Sequence, residues 1–148
     1  MAGQFEATTE VDRPIDEVFA FLAAGTNDPK FSPRVQKITK TPDGPTAVGT
    51  VFTSTVKDAG MKTGRQFRIT EFEAPRRIRW AEISKNVVTA DAGGYDLEST
   101  GEGKTRVRIF NVLEGHGIGK LLVGFALSAA RKDADAFGRR IKAAVEAS

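Results

Sequence analysis

The last segment of the chain, residues 117–147, constrains the fold most because it is predicted to be one long helix. Its apolar side chains recur every three or four positions along one stripe, and charged side chains occupy the opposite face. About 31 residues at about 1.5 Å each span roughly 45 Å, enough to cross a whole sheet. The stripe comprises Val123, Leu127, Ala130, Ala134, Phe137, Ile141 and Val145. The rest of the chain therefore has to supply a broad apolar surface for this stripe to lie on.

Seven segments ahead of this helix alternate apolar and polar residues, as half-buried strands do. They cover residues 4–11, 34–41, 49–57, 64–73, 77–85, 89–99 and 104–113. Between the first two segments, Asp12 and Pro14 begin a helix that Gly25 ends, and residues 27–35 hold at most a short helical turn. Short turns join the later segments, so the sequence predicts an antiparallel sheet.

Composition excludes several classes of site. The 148 residues include no cysteine and a single histidine, His116, so disulfides, thiolate sites and multi-histidine metal sites are excluded and we expect no metal. The length predicts one domain over residues 1–148. No apolar run is long enough to span a membrane and no signal-peptide core is present, so we expect a cytoplasmic protein. Because basic residues are dispersed among acidic ones, we expect no nucleic-acid partner.

The stretch "EGHGIGKLLVG", residues 114–124, places three glycines before a lysine, as a phosphate-binding loop does. The nucleoside-triphosphate pattern needs glycine at position 114 and a hydroxyl residue at 121, where this chain has Glu114 and Leu121. The dinucleotide pattern needs a glycine where Lys120 stands. We therefore expect no nucleotide cofactor, and we interpret the glycines as the turn from the last strand into the helix.

Two features of the helix bear on function. Its apolar stripe has small residues in the middle, Ala126, Ala130 and Ala134, which leave either an internal cavity or room that Trp80 and Tyr95 fill. Its first half is apolar nearly all round, because side chains away from the stripe are apolar as well. These are Leu121, Leu122 and Phe125. They are either covered by loops or form an exposed patch for a partner, a membrane or a second subunit.

The order of these elements is similar to that of the SRPBCC (START-like) superfamily, which includes polyketide cyclase/dehydrase and lipid-transport proteins. The stretches that carry the resemblance are "VDRPIDEVFAFL", "NDPKFSPRVQKI", "GTVF", "ITEFEAPRRIRW" and "GKTRVRI". The resemblance implies an α+β helix-grip fold: a curved seven-stranded antiparallel sheet wrapped around a long C-terminal helix, with two short helices between strands 1 and 2. It also implies a hydrophobic pocket between sheet and helix, but no particular reaction.

We accordingly predict a protein that binds a hydrophobic small molecule, such as a lipid or polyketide, as a carrier or sensor without a cofactor. Strand alternation and the helical stripe give the predicted ligand-binding residues. They are Phe52, Phe67, Ile69, Trp80, Tyr95, Leu97, Asn111, Val123, Leu127 and Ala130. Tyr95 and Asn111 would hold the polar end of the ligand.

Two alternatives stay open at this point. A cyclase/dehydrase-type enzyme needs a general base, and alternation places Asp91 on the pocket face with Tyr95 or Asn111 as hydrogen-bond donor, unless the Gly93-Gly94 pair bulges the strand. The other alternative is an interaction module, such as a toxin–antitoxin member or a homodimer, that uses Leu121, Leu122 and Phe125. The sequence does not decide between binding protein and enzyme.

Overall fold

The structure is a computed structural model that describes residues 2–58 and 60–148. A seven-stranded antiparallel sheet forms most of it. The strands are β1 (Ala2–Val11), β2 (Val35–Thr41), β3 (Val51–Asp58), β4 (Met61–Glu73), β5 (Arg77–Glu82), β6 (Val88–Gly101) and β7 (Lys104–Gly115). The helices are α1 (Ile15–Ala23), a single 3-10 turn (Asp28–Lys30) and α2 (Gly119–Glu146). The spatial order of the strands is β1-β7-β6-β5-β4-β3-β2, so β1 and β2 are the two edges. The predicted helix-grip architecture is confirmed.

The buried stripe of α2 lies against the β1 edge of the sheet. The helix packs mainly on β1, less on β7 and little on β6, and it has at most marginal contact with β2 to β5. Val123, Ile141 and Val145 are fully buried on this stripe, as predicted. Gly138 lets the helix come close, because a Cβ there would lie 3.2 Å from the carbonyl oxygen of Thr8. The helix therefore leans on one side of the sheet instead of filling its whole concave face.

β5 ends earlier than predicted, at Glu82 instead of residue 85. The Glu82 carboxylate is completely buried and accepts hydrogen bonds from Ser84 (2.6 Å) and Asn86 (2.8 Å), which fold the chain after the strand into a loop. Arg65 on β4 and the backbone N–H of Ala90 also donate to Glu82, each at 2.9 Å. This network satisfies a buried charge and fixes the β5–β6 loop against β4.

The convex face of the sheet carries alternating charges that pair with one another. Asp96 accepts from Arg79 at 2.8 Å and from Arg108 at 3.0 Å, and Phe110 lies between these two guanidinium groups at 4.9 and 4.5 Å. Strand arginines spaced two residues apart thus serve a solvated sheet face.

In the described part of the chain, no helix combines the length and the apolar character that crossing a membrane requires.

Candidate functional site

A hydrogen-bonded pair marks the middle of the concave face. Trp80 on β5 donates its indole N–H to Oδ1 of Asn111 on β7, at 2.9 Å, across the intervening strand β6. The residue of β6 between them is Gly93, which pairs with both. A Cβ at this position would lie 2.2 Å from the Asn111 oxygen and 2.4 Å from the Trp80 nitrogen. Gly93 is therefore what allows the pair to form.

Tyr95 lies next along the same face of β6. Its ring meets that of Trp80 edge to face, with centroids 5.1 Å apart. Burial raises the pKa of the Tyr95 hydroxyl well above its ordinary value, and the negative charge of Asp28 raises it further. Tyr95 is therefore a neutral phenol that can donate a hydrogen bond.

Asp28, in the 3-10 turn, is the carboxyl group that faces this interior. It lies deep among protein atoms, although water still reaches part of its surface, and burial raises its pKa from 3.8 to about 7. Burial is the cause of the shift. Asp28 was not predicted from the sequence, because the turn "NDPKFSP" has no periodicity that indicates which way a side chain points.

The residues predicted to bind ligand fall into two groups. Phe52, Ile69, Tyr95, Leu97, Val123 and Leu127 are buried, whereas Phe67, Trp80, Asn111 and Ala130 are half-buried. The structure brings Trp80, Tyr95 and Asn111 together. Two others belong to the packing around the interior: Phe52 lies against Gly25, and Leu127 lies over Gly3. The second group differs from ordinary core residues because its side chains face the interior but are only half-buried.

The prediction that Asp91 faces the pocket is wrong. The register of β6 against β7 shifts between Ala90 and Ala92, so Asp91 is the extra residue of a β-bulge and is exposed. The bulge comes just before the Gly93-Gly94 pair and reverses the alternation on which the prediction depended. This geometry gives no support to Asp91 as the base of a cyclase.

Asp91 instead contacts Thr89, which in turn contacts His116, at the surface of the protein. The Thr89 hydroxyl donates to Asp91 at 2.5 Å and lies 2.8 Å from Nε2 of His116, in a surface cleft of about 380 Å³ that Lys85 and Asn86 also line. Because the hydroxyl has one proton and gives it to Asp91, the imidazole has to donate to Thr89. In a nucleophilic triad the carboxylate orients the imidazole, which is not the arrangement here.

The glycines of residues 115–119 form the turn from β7 into α2, as the sequence indicated, and Gly115 and Gly119 also permit close packing. Gly117 has a positive φ of 57°, and a Cβ at Gly119 would lie 1.6 Å from the carbonyl oxygen of Val87. That carbonyl accepts the backbone N–H of His116 at 2.7 Å. The start of α2 is thereby fastened to the β5–β6 loop.

Within residues 2–58 and 60–148, no three potential metal ligands among His, Asp and Glu lie together.

This geometry agrees with the family and the solved structures that the chain resembles. The chain matches, over residues 2–146, the family model described as polyketide cyclase/dehydrase and lipid transport. No curated protein sequence matches it.

Solved structures give the same result for the fold. The chain is similar to the Zhui aromatase/cyclase from Streptomyces sp. R1128, with 17% identity, a TM-score of 0.78 and coverage of 99% of this chain and 94% of that one. TTHA0849 from Thermus thermophilus has 15% identity and a TM-score of 0.78, with 98% of each chain covered. Ara h 8.0201 has 16% identity and a TM-score of 0.70, with 100% of each chain covered. At such identities these likenesses show the fold alone.

Proposed function

The chain belongs to the polyketide cyclase/dehydrase and lipid transport family, and on that premise we propose that it binds an apolar small molecule between α2 and the concave face of the sheet, as a carrier or sensor. One observation carries the proposal. Phe67, Trp80, Asn111 and Ala130 belong to the inner face of the sheet or to the buried stripe of α2, yet each keeps surface that water reaches.

The position of α2 explains this exposure. Since α2 leans on β1 and β7, it has little contact with the inner faces of β4 and β5, and α1 reaches β4 at its far end, where Phe19 packs on Phe72. The alanines in the middle of the stripe, Ala130 and Ala134, reach only a short way across. An apolar ligand placed there gains roughly 25 cal/mol for each Å² removed from water, which supports useful affinity without any catalytic group.

The polar groups of the interior suit one end of such a ligand. Asn111 accepts the indole N–H of Trp80 through its oxygen, which leaves its amide N–H groups to donate to a ligand carbonyl or hydroxyl. Tyr95 supplies a neutral hydroxyl nearby, and Asp28 supplies a carboxyl that is readily protonated. A largely apolar molecule with a keto or hydroxyl group at one end fits this set.

The test is binding of N-phenyl-1-naphthylamine, an apolar dye that fluoresces when removed from water. We expect saturable binding at one site of the wild-type protein. Ala130→Trp fills the proposed space and should weaken binding at least tenfold. The matched control is Ala143→Trp, which places the same ring on the exposed face of α2 and should leave binding unchanged.

Thermal unfolding of both variants establishes that they are folded. If the dye fails to bind the wild-type protein, or binds Ala130→Trp as tightly as Ala143→Trp, the proposal is wrong.

A further inference from the structure

Four segments of the chain lie at one end of the sheet, which we call the apolar end. They are the start of β4 at Met61, the β5–β6 loop at 83–87, the β7–α2 turn at 116–118 and the first turns of α2. Strand register places them at this end: Glu82 pairs with Phe67 on β4, and Val88 pairs with Gly115 on β7. The bond from His116 N–H to the Val87 carbonyl joins two of these segments directly.

Large apolar side chains are exposed on all four segments. Their exposed fractions include 71% for Met61, 49% for Val87, 65% for Ile118, 75% for Leu121 and 78% for Phe125. Within the described residues, every other large apolar side chain that is similarly exposed also belongs to this end, except Val48. The possibility that loops cover Leu121, Leu122 and Phe125 is therefore wrong. A concentration of exposed apolar side chains like this marks an interaction surface.

On α2 these side chains form a second stripe. Ile118, Leu121, Leu122 and Phe125 are spaced as one helical face, and they point away from the buried stripe that begins at Val123. The first half of α2 is therefore apolar on both its buried and its outward side, unlike a helix that only packs on a sheet.

Exposed lysines surround the apolar side chains. Lys57 and Lys62 flank the β3–β4 turn, Lys85 lies in the β5–β6 loop and Lys120 lies in the first turn of α2. None of the four forms an ion pair with a described residue. The exposed carboxylate of Asp91 accepts from the hydroxyl of Thr89 and forms no ion pair with these lysines. The four ammonium groups are thus without a carboxylate partner among the described residues and can contact an anionic partner.

We propose that the apolar end docks on the surface of an anionic phospholipid bilayer. The apolar side chains come from separate turns and from one helix face, with lysines between them, so they suit insertion at shallow depth with ammonium groups at the level of the lipid phosphates. A second copy of the chain would bring four like-charged lysines against four others, which disfavours a dimer through this face. Docking at this end is independent of whether the interior binds a ligand.

The experiment is flotation of the full chain with phosphatidylcholine vesicles that contain phosphatidylglycerol. We expect the wild-type protein to float with the vesicles, and the double variant Leu121→Asp/Phe125→Asp to lose binding at least tenfold. Lys62→Glu/Lys85→Glu should weaken binding several-fold, and only where phosphatidylglycerol is present. Val48→Asp is the matched control, because Val48 is 64% exposed at the other end of the sheet, and it should bind as the wild type does.

Because all of these side chains are exposed, the variants should keep their fold, which circular dichroism checks. If the wild-type protein does not float with these vesicles, or the Leu121/Phe125 variant floats equally well, the proposal is wrong. It is also overturned if light scattering shows a dimer that this variant dissociates while vesicle binding is absent.

Discussion

The two ends of α2 are held in place by different means. At its C-terminal end, Glu146 accepts the backbone N–H of Asp12 at 2.9 Å and the ammonium of Lys142, which also reaches Asp12 at 3.3 Å. Arg13 donates to the carbonyl oxygen of Glu146 at 2.7 Å. At its N-terminal end there is no side-chain cap and no acidic residue in the first turn. That end is held by the close approach of Gly119 to the backbone of Val87.

The two halves of α2 differ in what their side chains do. Polar side chains attach the C-terminal half to the chain before α1, and its large apolar residues, Phe137, Ile141 and Val145, are half-buried or buried. The N-terminal half is held mainly by backbone contacts and by its buried stripe, so its outward apolar side chains have no part in holding the helix in place. Substitutions on that outward side should therefore leave the fold intact.

The largest expected contrast is between a buried and an exposed position of the helix. Ile141 is 1% exposed and Leu121 is 75% exposed. Ile141→Ala should lower the free energy of unfolding by about 2–5 kcal/mol, because it leaves a cavity against the sheet. Leu121→Ala should change it by less than about 0.5 kcal/mol. Guanidinium unfolding of both variants measures the difference, and equal losses would show that Leu121 is covered after all.

Two glycines test how the N-terminal end is held. Gly119→Ala introduces a Cβ that overlaps the Val87 carbonyl and should cost about 1–3 kcal/mol or more. Gly124→Ala, five residues on, meets open space and should stabilise the helix by about 0.5–1 kcal/mol. Midpoints of urea unfolding compare the two. A neutral Gly119→Ala would mean that the β5–β6 loop does not fasten α2.

The last two tests concern two carboxylates with opposite dependence on pH. The pKa of Glu146 is lowered by the N–H of Asp12 and by Lys142, so its stabilising contribution is present above its ordinary value of 4.5 and is lost as the pH falls below it. Its side chain is 26% exposed, so Glu146→Gln should cost about 1 kcal/mol or less at neutral pH. Urea unfolding at pH 7 and at pH 3 measures this, and an equal cost at both would contradict it.

Asp28 has the reverse sign. Its folded-state pKa of about 7 lies above 3.8, so the folded protein holds a proton that the unfolded chain has lost. Stability should therefore fall as the pH rises from about 4 to about 7, and then level off. Unfolding midpoints of Asp28→Asn across this range should lack that slope. A slope equal to that of the wild type would show that the carboxyl is not buried.

Sequence patterns predicted the fold because its elements follow regular periods. The alternating segments became strands, and the stripe from Val123 to Val145 is the buried face of α2. For the candidate site, alternation placed Trp80, Tyr95 and Asn111 on one face because they lie on uninterrupted strand segments, whereas the bulge at Asp91 reversed the alternation locally. The role of these residues in ligand binding stays a prediction.

Periodic patterns did not indicate Asp28, and they left the exposure of Leu121, Leu122 and Phe125 undecided, for a different reason. The direction of Asp28 depends on the path of an irregular turn, and the exposure of Phe125 depends on whether distant loops reach it. Gly93 did leave a signal, because a glycine inside a strand commonly marks a close approach of other atoms.

The glycine pair of β6 limits how this protein can change by single substitutions. Gly93 makes room for Trp80 and Asn111 on the inside, and Gly94 makes room on the outside, where a Cβ would lie 2.3 Å from the carbonyl oxygen of Ile78 and 2.7 Å from a nitrogen of Arg79. A larger residue at either position would therefore overlap neighbouring atoms, on the inner face at Gly93 and on the outer face at Gly94. Substitutions that change the shape or polarity of the inner face at this point are therefore tolerated at the neighbours of Gly93, such as Trp80 and Asn111, before they are tolerated at Gly93 itself.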